Sequence, residues 1–530
     1  MISSKILPRL ANSTEQMVCT IGSASSRCLA SNAPLHQEQV DLPPMPPCDY
    51  TPPTYTGPEK TEILRLRKQH VNPAVHRQTY YKDPPMFTSG KGQYLFDEEG
   101  RRYLDMFGGI CTVGAGHSHN KINAAVQEQM SNLTHLSNSF VHPKISEYAK
   151  EMVNRFPEES GLSVVYFCNS GSEANDLAVL MARAYTGYLN IVGLRRAYHG
   201  AGVGTLPLTT IPSYRHATIP ITNITHTMSP DVYRGFWGGS HCRDGPSQAL
   251  RTCDCEAGVC MASEMYVKEY RDHLHNLCPA GKGLAAFIGE GVGGVNAGIQ
   301  PPKGYYKDVF EITKSYGGLN IMDEVQSGFG RLGTHFWGFE YHGVTPDIVT
   351  AAKSIGNGHP LAMCITRPEI AEAFANSSFH INTFGGNAVG CATGLATLKA
   401  IDEDGLTENS HVVGTHIMEG LNNLREKHEV LGDVRGKGLF IAMEFVESKS
   451  TQKPIPNYHL NAMVERIKDL GVIIGKGGIY ANCCRIQPPM CITKEDGDFT
   501  LAVLDKVFSE YSHGMIDVES FNPNPSSQKK

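Results

Sequence analysis

No run in this 530-residue chain approaches the roughly 18 to 20 continuous apolar residues that a membrane-spanning helix needs, so no membrane partner is expected. Neither sign of charge dominates: 47 Lys and Arg against 53 Asp and Glu leave a net charge of -6, which gives no reason to expect nucleic acid. Cysteine is sparse, since fifteen residues fall well below the density of a disulfide scaffold, and the vicinal pair Cys483-Cys484 is poorly placed to bridge. A reducing compartment follows. No internal repeat occurs. The first thirty or so residues lack the apolar core of a secretory signal but carry Lys5, Arg9 and Arg27 against the single acid Glu15, a pattern of mitochondrial transit peptides. A tail without an address is the competing reading of that segment.

What is present is an ordinary globular composition, 41% hydrophobic and 19% charged, so small molecules are the expected partners. At about 150 residues per domain the length allows two to four structural units. From Asp41 to Pro58 the sequence DLPPMPPCDYTPPTYTGP favours an extended linker, and SFNPNPSSQKK at the other end reads as a disordered tail. Between about residue 160 and residue 390, short apolar runs alternate with helix-like segments. Val164 to Cys168, Leu189 to Leu194, Leu284 to Ile288, Leu319 to Met322, Ile348 to Ala352 and Leu361 to Ile365 are near-continuously apolar, as expected of strands covered on both faces. Ala174, Leu177, Ala178, Met181 and Ala184 repeat at helical spacing. The alternation predicts an α/β domain on a mostly parallel sheet, where ligands bind beyond the carboxyl ends of the strands.

Three strand ends then draw the eye. NSGSEAN follows the first run, with a Ser170-x-x-Glu173 capping box and Gly171 at a helix start that suits an anion, although most such boxes only cap helices. DEVQSGFGR follows the fourth, placing Asp323 where a carboxylate can face the crevice. Lys353 ends the fifth, in PDIVTAAKSIGNGHPL, among small residues that leave room beside its amine. A solvent-facing acid and a snorkelling surface lysine are the alternatives for the last two. Phosphate cradle, acid and amine together form the set that pyridoxal 5'-phosphate requires. A competing motif, Gly289 to Gly294, matches G-x-G-x-x-G, but the VNAGIQPPKGYY that follows bars a helix until Tyr305, so the dinucleotide reading fails on context.

With these residues in hand, the chain resembles the class III pyridoxal-phosphate aminotransferases of fold type I. The blocks that carry the likeness are NSGSEANDLAVLMARA, AYHG, IMDEVQSGFGRLGTHFWGFEYHGVTPDIVTAAKSIGNG, NTFGGNAVGCA and DVRGKGL, spread from about Tyr80 to Tyr511. RGFWGGSHCRDGPSQ resembles an insertion of the alanine-glyoxylate subgroup. The resemblance implies a large, mostly parallel-sheet α/β domain and a smaller α+β domain built from the chain ends. It divides the chain into a transit peptide (1–40), a linker (41–60), an N-terminal segment (61–130), the cofactor-binding domain (131–390), a C-terminal small domain (391–515) and a tail (516–530).

Carried over by position, the resemblance makes Lys353 the Schiff-base lysine and Asp323 the partner of the ring nitrogen. It places Gln326 near the ring hydroxyl, Gly171 and Ser172 on the phosphate, and Tyr198 against the ring. Thr383 is a phosphate ligand from a second subunit, which implies a homodimer. Arg485 grips the substrate carboxylate, a task that suits its planar fork. The chain departs from the common Glu-Pro-x-Gln-Gly pattern at Glu290 to Gly294, and Val295 stands where relatives acting on ω-amino acids carry a glutamate. Arg485 then stays available for an α-carboxylate. The implied activity is transfer of an amino group from alanine, or from β-amino acids such as 3-aminoisobutyrate, to glyoxylate or a similar oxo acid, in the mitochondrial matrix. An ω-amino acid:pyruvate aminotransferase is the alternative within the family. Another reaction on the same cofactor, or a non-catalytic scaffold, lies further off. His241, Cys242, Cys253, Cys255 and Cys260 cluster in HCRDGPSQALRTCDCEAGVC, yet their spacing matches no standard zinc pattern, so no metal is assigned.

Overall fold

The computed structural model describes residues 42–76, 79–216, 223–239, 241–245, 255 and 260–523. The expected transit peptide and the last seven residues lie outside them.

Seven strands form the central sheet: β1 (Val164–Cys168), β2 (Asn190–Leu194), β3 (Ile224–Thr227), β4 (Leu284–Glu290), β5 (Leu319–Asp323), β6 (Ile348–Ala351) and β7 (Ala362–Thr366), in the order β1-β7-β6-β5-β4-β2-β3. From β6 through to β3 the pairings are parallel, while β7 runs antiparallel between β6 and β1. Successive residues of the inner strands face opposite sides, as the pleat dictates. Ile191, Ala286, Ile321 and Ile348 join one core cluster with Ala174, Leu177, Ala178 and Met181. Their neighbours Val192, Phe287, Met322 and Val349 join the other, with Val309 and Phe310. Burial on both faces is why these strands read as unbroken apolar runs.

Helix α1 (Gly171–Thr186) packs across β4, β5, β6 and β7, and it opens on the reciprocal capping box of Ser170 and Glu173. Beyond the Gly289 to Gly294 motif no helix forms until Tyr305, where Tyr305–Ser315 begins, so the dinucleotide context is absent here.

The chain ends meet. Strands Phe87–Lys91, Tyr94–Asp97 and Arg102–Asp105 form a sheet that Val472–Ile473 joins in parallel, nearly four hundred residues later. A second sheet runs Leu431–Lys437, Phe440–Phe445, Cys483–Ile486, Gly475–Gly477, all antiparallel. The proline-rich stretch is extended, as expected, but it is no free linker: Leu42, Met45, Cys48 and Tyr50 pack on the main core, and the Tyr50 ring sits 5.3 Å from Phe96.

Candidate active site

Parallel pairing sets three strand ends side by side, with Glu290 in register with Asp323 and Asp323 in register with Thr350. Asp323 is 4% exposed. Its Oδ2 accepts from the Asn175 amide at 2.8 Å and from His199 Nδ1 at 2.8 Å, and its Oδ1 accepts from the Val325 amide at 3.0 Å. Asn175 is itself fixed: it donates to the His199 carbonyl at 2.9 Å and accepts from Thr350 Oγ1 at 2.6 Å. A buried acid held by three donors, one of them an imidazole, has its rotamer and its partner's tautomer fixed, so its position is set before any ligand arrives. Burial opposes charge on His199, but the bond and field of Asp323 outweigh it and hold the imidazole above its usual value. His199 Nε2 is buried without a partner among the described residues.

Glu290 is buried beside this pair. Its carboxylate accepts from the Tyr198 amide at 3.2 Å and the Gly294 amide at 2.8 Å. Burial pushes its carboxyl up, His199 pulls it down, and Asp323 adds to the rise. Those two bonds tie the loop bearing Tyr198 to the one bearing Gly294, so Glu290 braces the pocket wall without the proline and glutamine of the family pattern. The Tyr198 ring meets Tyr214 edge-on at 5.2 Å.

Lys353 begins the turn after β6 at φ +53°, a left-handed conformation that costs a non-glycine residue of order 1 to 3 kcal/mol. Cys111, at +56°, shares this strain beside the turn. Ser354 Oγ donates to the Cys111 carbonyl at 2.6 Å, pinning the turn from the far side. The side chain of half-buried Lys353 makes no hydrogen bond or ion pair among the described residues. Burial lowers its amine pKa; Cys111, Asp323 and Glu290 oppose that, and Arg485 reinforces it. A strained backbone and an unpaired amine are what a residue held for chemistry shows.

The capping box uses the Ser170 and Glu173 amides. It leaves those of Gly171 and Ser172 at the helix start, with no acceptor among the described residues. A Cβ on Gly171 would stand 3.0 Å from Val325, two residues past Asp323, so only glycine lets the helix start come this close. Ser172 Oγ accepts from the Ala201 amide at 3.1 Å. Gln326 is buried; its Oε1 accepts weakly from Cys111 Sγ at 3.7 Å and Gln487 Nε2 at 3.5 Å. Gly294 makes room for it, since a Cβ there would fall 2.1 Å from Gln326 Nε2.

Arg485, on strand Cys483–Ile486, is 4% exposed. Its Nε donates to the Lys476 carbonyl at 2.9 Å and its guanidinium lies over Phe107 at 5.3 Å, while Nη1 is buried without a partner among the described residues. The Val295 carbonyl accepts from the Gly478 amide at 3.0 Å, so Val295 lies against the hairpin that carries Arg485. Thr383 is not brought to this group: it is exposed, between Ile381 and Phe384.

The sequence reading reached Asp323, Lys353, Gly171, Ser172, Tyr198, Gln326 and Arg485 but missed Asn175, His199 and Thr350. Asn175 and His199 sit inside NSGSEAN and AYHG, where a polar residue on an otherwise apolar helix face and a histidine beside the aromatic were the available signals. The donor set fits pyridoxal phosphate: unused amides at a helix start, a carboxylate oriented by an imidazole, an unpaired amine and an unpaired guanidinium nitrogen.

Comparison with known proteins agrees. Residues 78–508 match the family model described as aminotransferase class-III. Human mitochondrial alanine--glyoxylate aminotransferase 2 is 44% identical over 487 residues, which cover 92% of this chain and 93% of that protein. A phospholyase from Arthrobacter, solved with phosphoethanolamine, has a TM-score of 0.75 at 29% identity, covering 84% of this chain and 99% of that one. An amine transaminase from an uncultivated Pseudomonas species, solved in its PLP-bound form, has a TM-score of 0.73 at 28% identity, covering 82% and 96%.

Proposed function

Since the chain belongs to the class-III aminotransferases, we propose that it moves an amino group from alanine to glyoxylate, giving pyruvate and glycine, with Lys353 as the cofactor-bearing lysine. The observation that carries this reading is the strained turn at Lys353, whose unpaired amine follows the strand that pairs with Asp323. The name of the human relative supports the substrate pair and a mitochondrial address, and the matrix is the compartment we propose. Among the described residues no helix is long and apolar enough to cross a membrane.

Bound pyridoxal phosphate supplies the electron sink that stabilises the pair left at the substrate Cα when its proton departs. The chain's own groups do the rest. Gly171 and Ser172 would offer amides to the phosphate at the positive end of α1, and Tyr198 would lie against the ring. Asp323, held by His199 and Asn175, would keep the ring nitrogen protonated. Gln326 would pair with the ring hydroxyl. Arg485 orients the donor by pairing with its α-carboxylate, so that the Cα proton points at Lys353. Lys353 Nζ, whose pKa burial lowers, would move that proton between the substrate Cα and the cofactor's C4', one way in the first half-reaction and the other way in the second. Val295 brings no carboxylate to mask Arg485, which favours α-amino over ω-amino donors. Thr383 completes the phosphate site from a second copy.

Borohydride reduction of the purified protein followed by peptide mapping tests the reading. The pyridoxyl label should sit on Lys353; a label on another lysine, or none, sinks it. Incubation with alanine and glyoxylate should release pyruvate. Consumption of 4-aminobutyrate with no pyruvate formed from alanine would instead put the chain among the ω-amino acid enzymes.

A further inference from the structure

Three cysteines outside the crevice converge on one point. The sulfurs of Cys242, Cys255 and Cys260 all lie within 4.8 Å of one another, and none of the three is in a disulfide. A disulfide would use two and strand the third. Three sulfurs at mutual short range are instead one face of a tetrahedral metal site, in which ligands about 2.3 Å from zinc stand roughly 3.8 Å apart. Drawing in by about 1 Å at most would close it.

The setting favours thiolate. Cys260 caps the 17-residue helix Met261–Leu277, whose first amides and dipole stabilise negative charge. The Met261 amide donates to Cys255 Sγ at 3.4 Å. Val232, Ala262 and Trp237 form an apolar surround, and Cys242 is 1% exposed. His241 is exposed and outside the converging group, while Cys253 lies outside the described residues.

The neighbours of Cys242 make the cluster a junction. The Cys242 carbonyl accepts from the Lys303 amide at 3.0 Å, and Arg243 pairs with buried Asp433 at 2.5 Å. The Asp244 carbonyl accepts from Gln300 at 3.3 Å. This short stretch therefore joins the loop after β4 to the strand Leu431–Lys437, and Cys260 adds the start of a large-domain helix.

We propose that Cys242, Cys255 and Cys260 bind one zinc ion through three thiolates, with the fourth position taken by water, and that the ion fastens this junction. Binding replaces three S–H bonds by three S–Zn bonds and releases three protons to solvent, with no change of oxidation state. The site lies apart from the amino-transfer crevice and does not depend on that assignment.

The test uses full-length protein carrying its cofactor, incubated with zinc chloride, desalted and analysed for metal. About one zinc per chain is expected, released by a mercurial that blocks thiols. The variant C242S/C260S should lose at least about nine-tenths of it and unfold at a lower temperature, with cofactor absorbance kept. If that variant does not fold, Cys255→Ser, which alters a less buried ligand, should lower zinc affinity by at least about tenfold. Less than about one zinc per ten chains overturns the proposal, as does zinc retained undiminished in either variant. An intact mass short of two hydrogens, with the loss mapped to a bond between two of these cysteines in freshly purified protein, overturns it equally.

Discussion

Asp323 and Lys353 divide the proposed chemistry between a group locked in place and one left unpaired. Three donors fix the Asp323 carboxylate, so exchanging it for an amide turns donors against donors: the new NH2 would face both Asn175 and His199. Asp323→Asn should therefore lower kcat by about 100-fold to 10,000-fold while the protein still binds pyridoxal phosphate. Steady-state kinetics beside the cofactor's visible absorbance separate the two effects, and an unchanged kcat defeats the assigned role. Lys353 gives a pH prediction. Its pKa falls below 10.5 on folding because burial disfavours the charged amine, so between the lowered value and 10.5 the unfolded chain binds more protons. Stability of cofactor-free protein should then rise with pH across that window relative to Lys353→Met, which cannot titrate there. Denaturant midpoints of both proteins at a series of alkaline pH values check the sign, and parallel curves refute it. At this scale the sequence showed residues whose type and strand-end position announced a task. It hid His199, Asn175 and Thr350, whose part is relational: each is an ordinary polar residue until the fold sets it against Asp323.

At the scale of elements, the start of α1 does two things at once. The Ser170 and Glu173 capping box holds the first turn, with Glu173 Oε2 accepting from the Asn169 amide at 2.7 Å and from the Ser170 amide at 3.0 Å. Gly171 then presses against Val325 and Ala352, which flank Asp323 and Lys353 in the chain. Gly171→Ala puts a methyl 3.0 Å from Val325 Cγ2 and 3.1 Å from Cγ1, tighter than most side-chain contacts, so Val325 or the helix start must give slightly. Affinity for pyridoxal phosphate should weaken by about tenfold or more, because a displacement of a few tenths of an ångström reaches both the anion cradle and Asp323. Fluorescence titration of the apoprotein reads this directly; wild-type affinity would show that the contact is slack. The strands legible in the sequence were the apolar runs, most of them buried on both faces, although Val164–Cys168 lies at the sheet edge with Val164 exposed. Ile224–Thr227 was not, because it is a short edge strand whose polar residues break the apolar run. The reversed direction of β7 was equally hidden, since an apolar run carries no sign of its polarity.

At the scale of the whole molecule, one exposed apolar stretch among the described residues stands close to the candidate site. In the segment after helix Pro368–Ser377, Phe379 is 96% exposed, Ile381 80% and Phe384 60%, with Thr383 among them. Singly exposed apolar residues are ordinary, but three within six positions form a patch that water disfavours and a second copy can cover. The same segment is anchored to β1, whose end leads into the phosphate cradle: Asn169 Nδ2 donates to Asn382 Oδ1 at 2.8 Å, and Tyr166 OH donates to the His380 carbonyl at 3.0 Å. An interface formed here would bring each copy's Thr383 loop to a second copy, as the proposed homodimer requires. Ile381→Asp should bury an unpaired charge in that interface, shift the protein toward monomer and cost it bound cofactor, because the anion site loses its contribution from the other copy. Light scattering coupled to size exclusion, run with cofactor quantified in each peak, tests both halves together. A monomer that keeps its cofactor would remove Thr383 from the site. A variant that stays dimeric would move the interface elsewhere on the molecule.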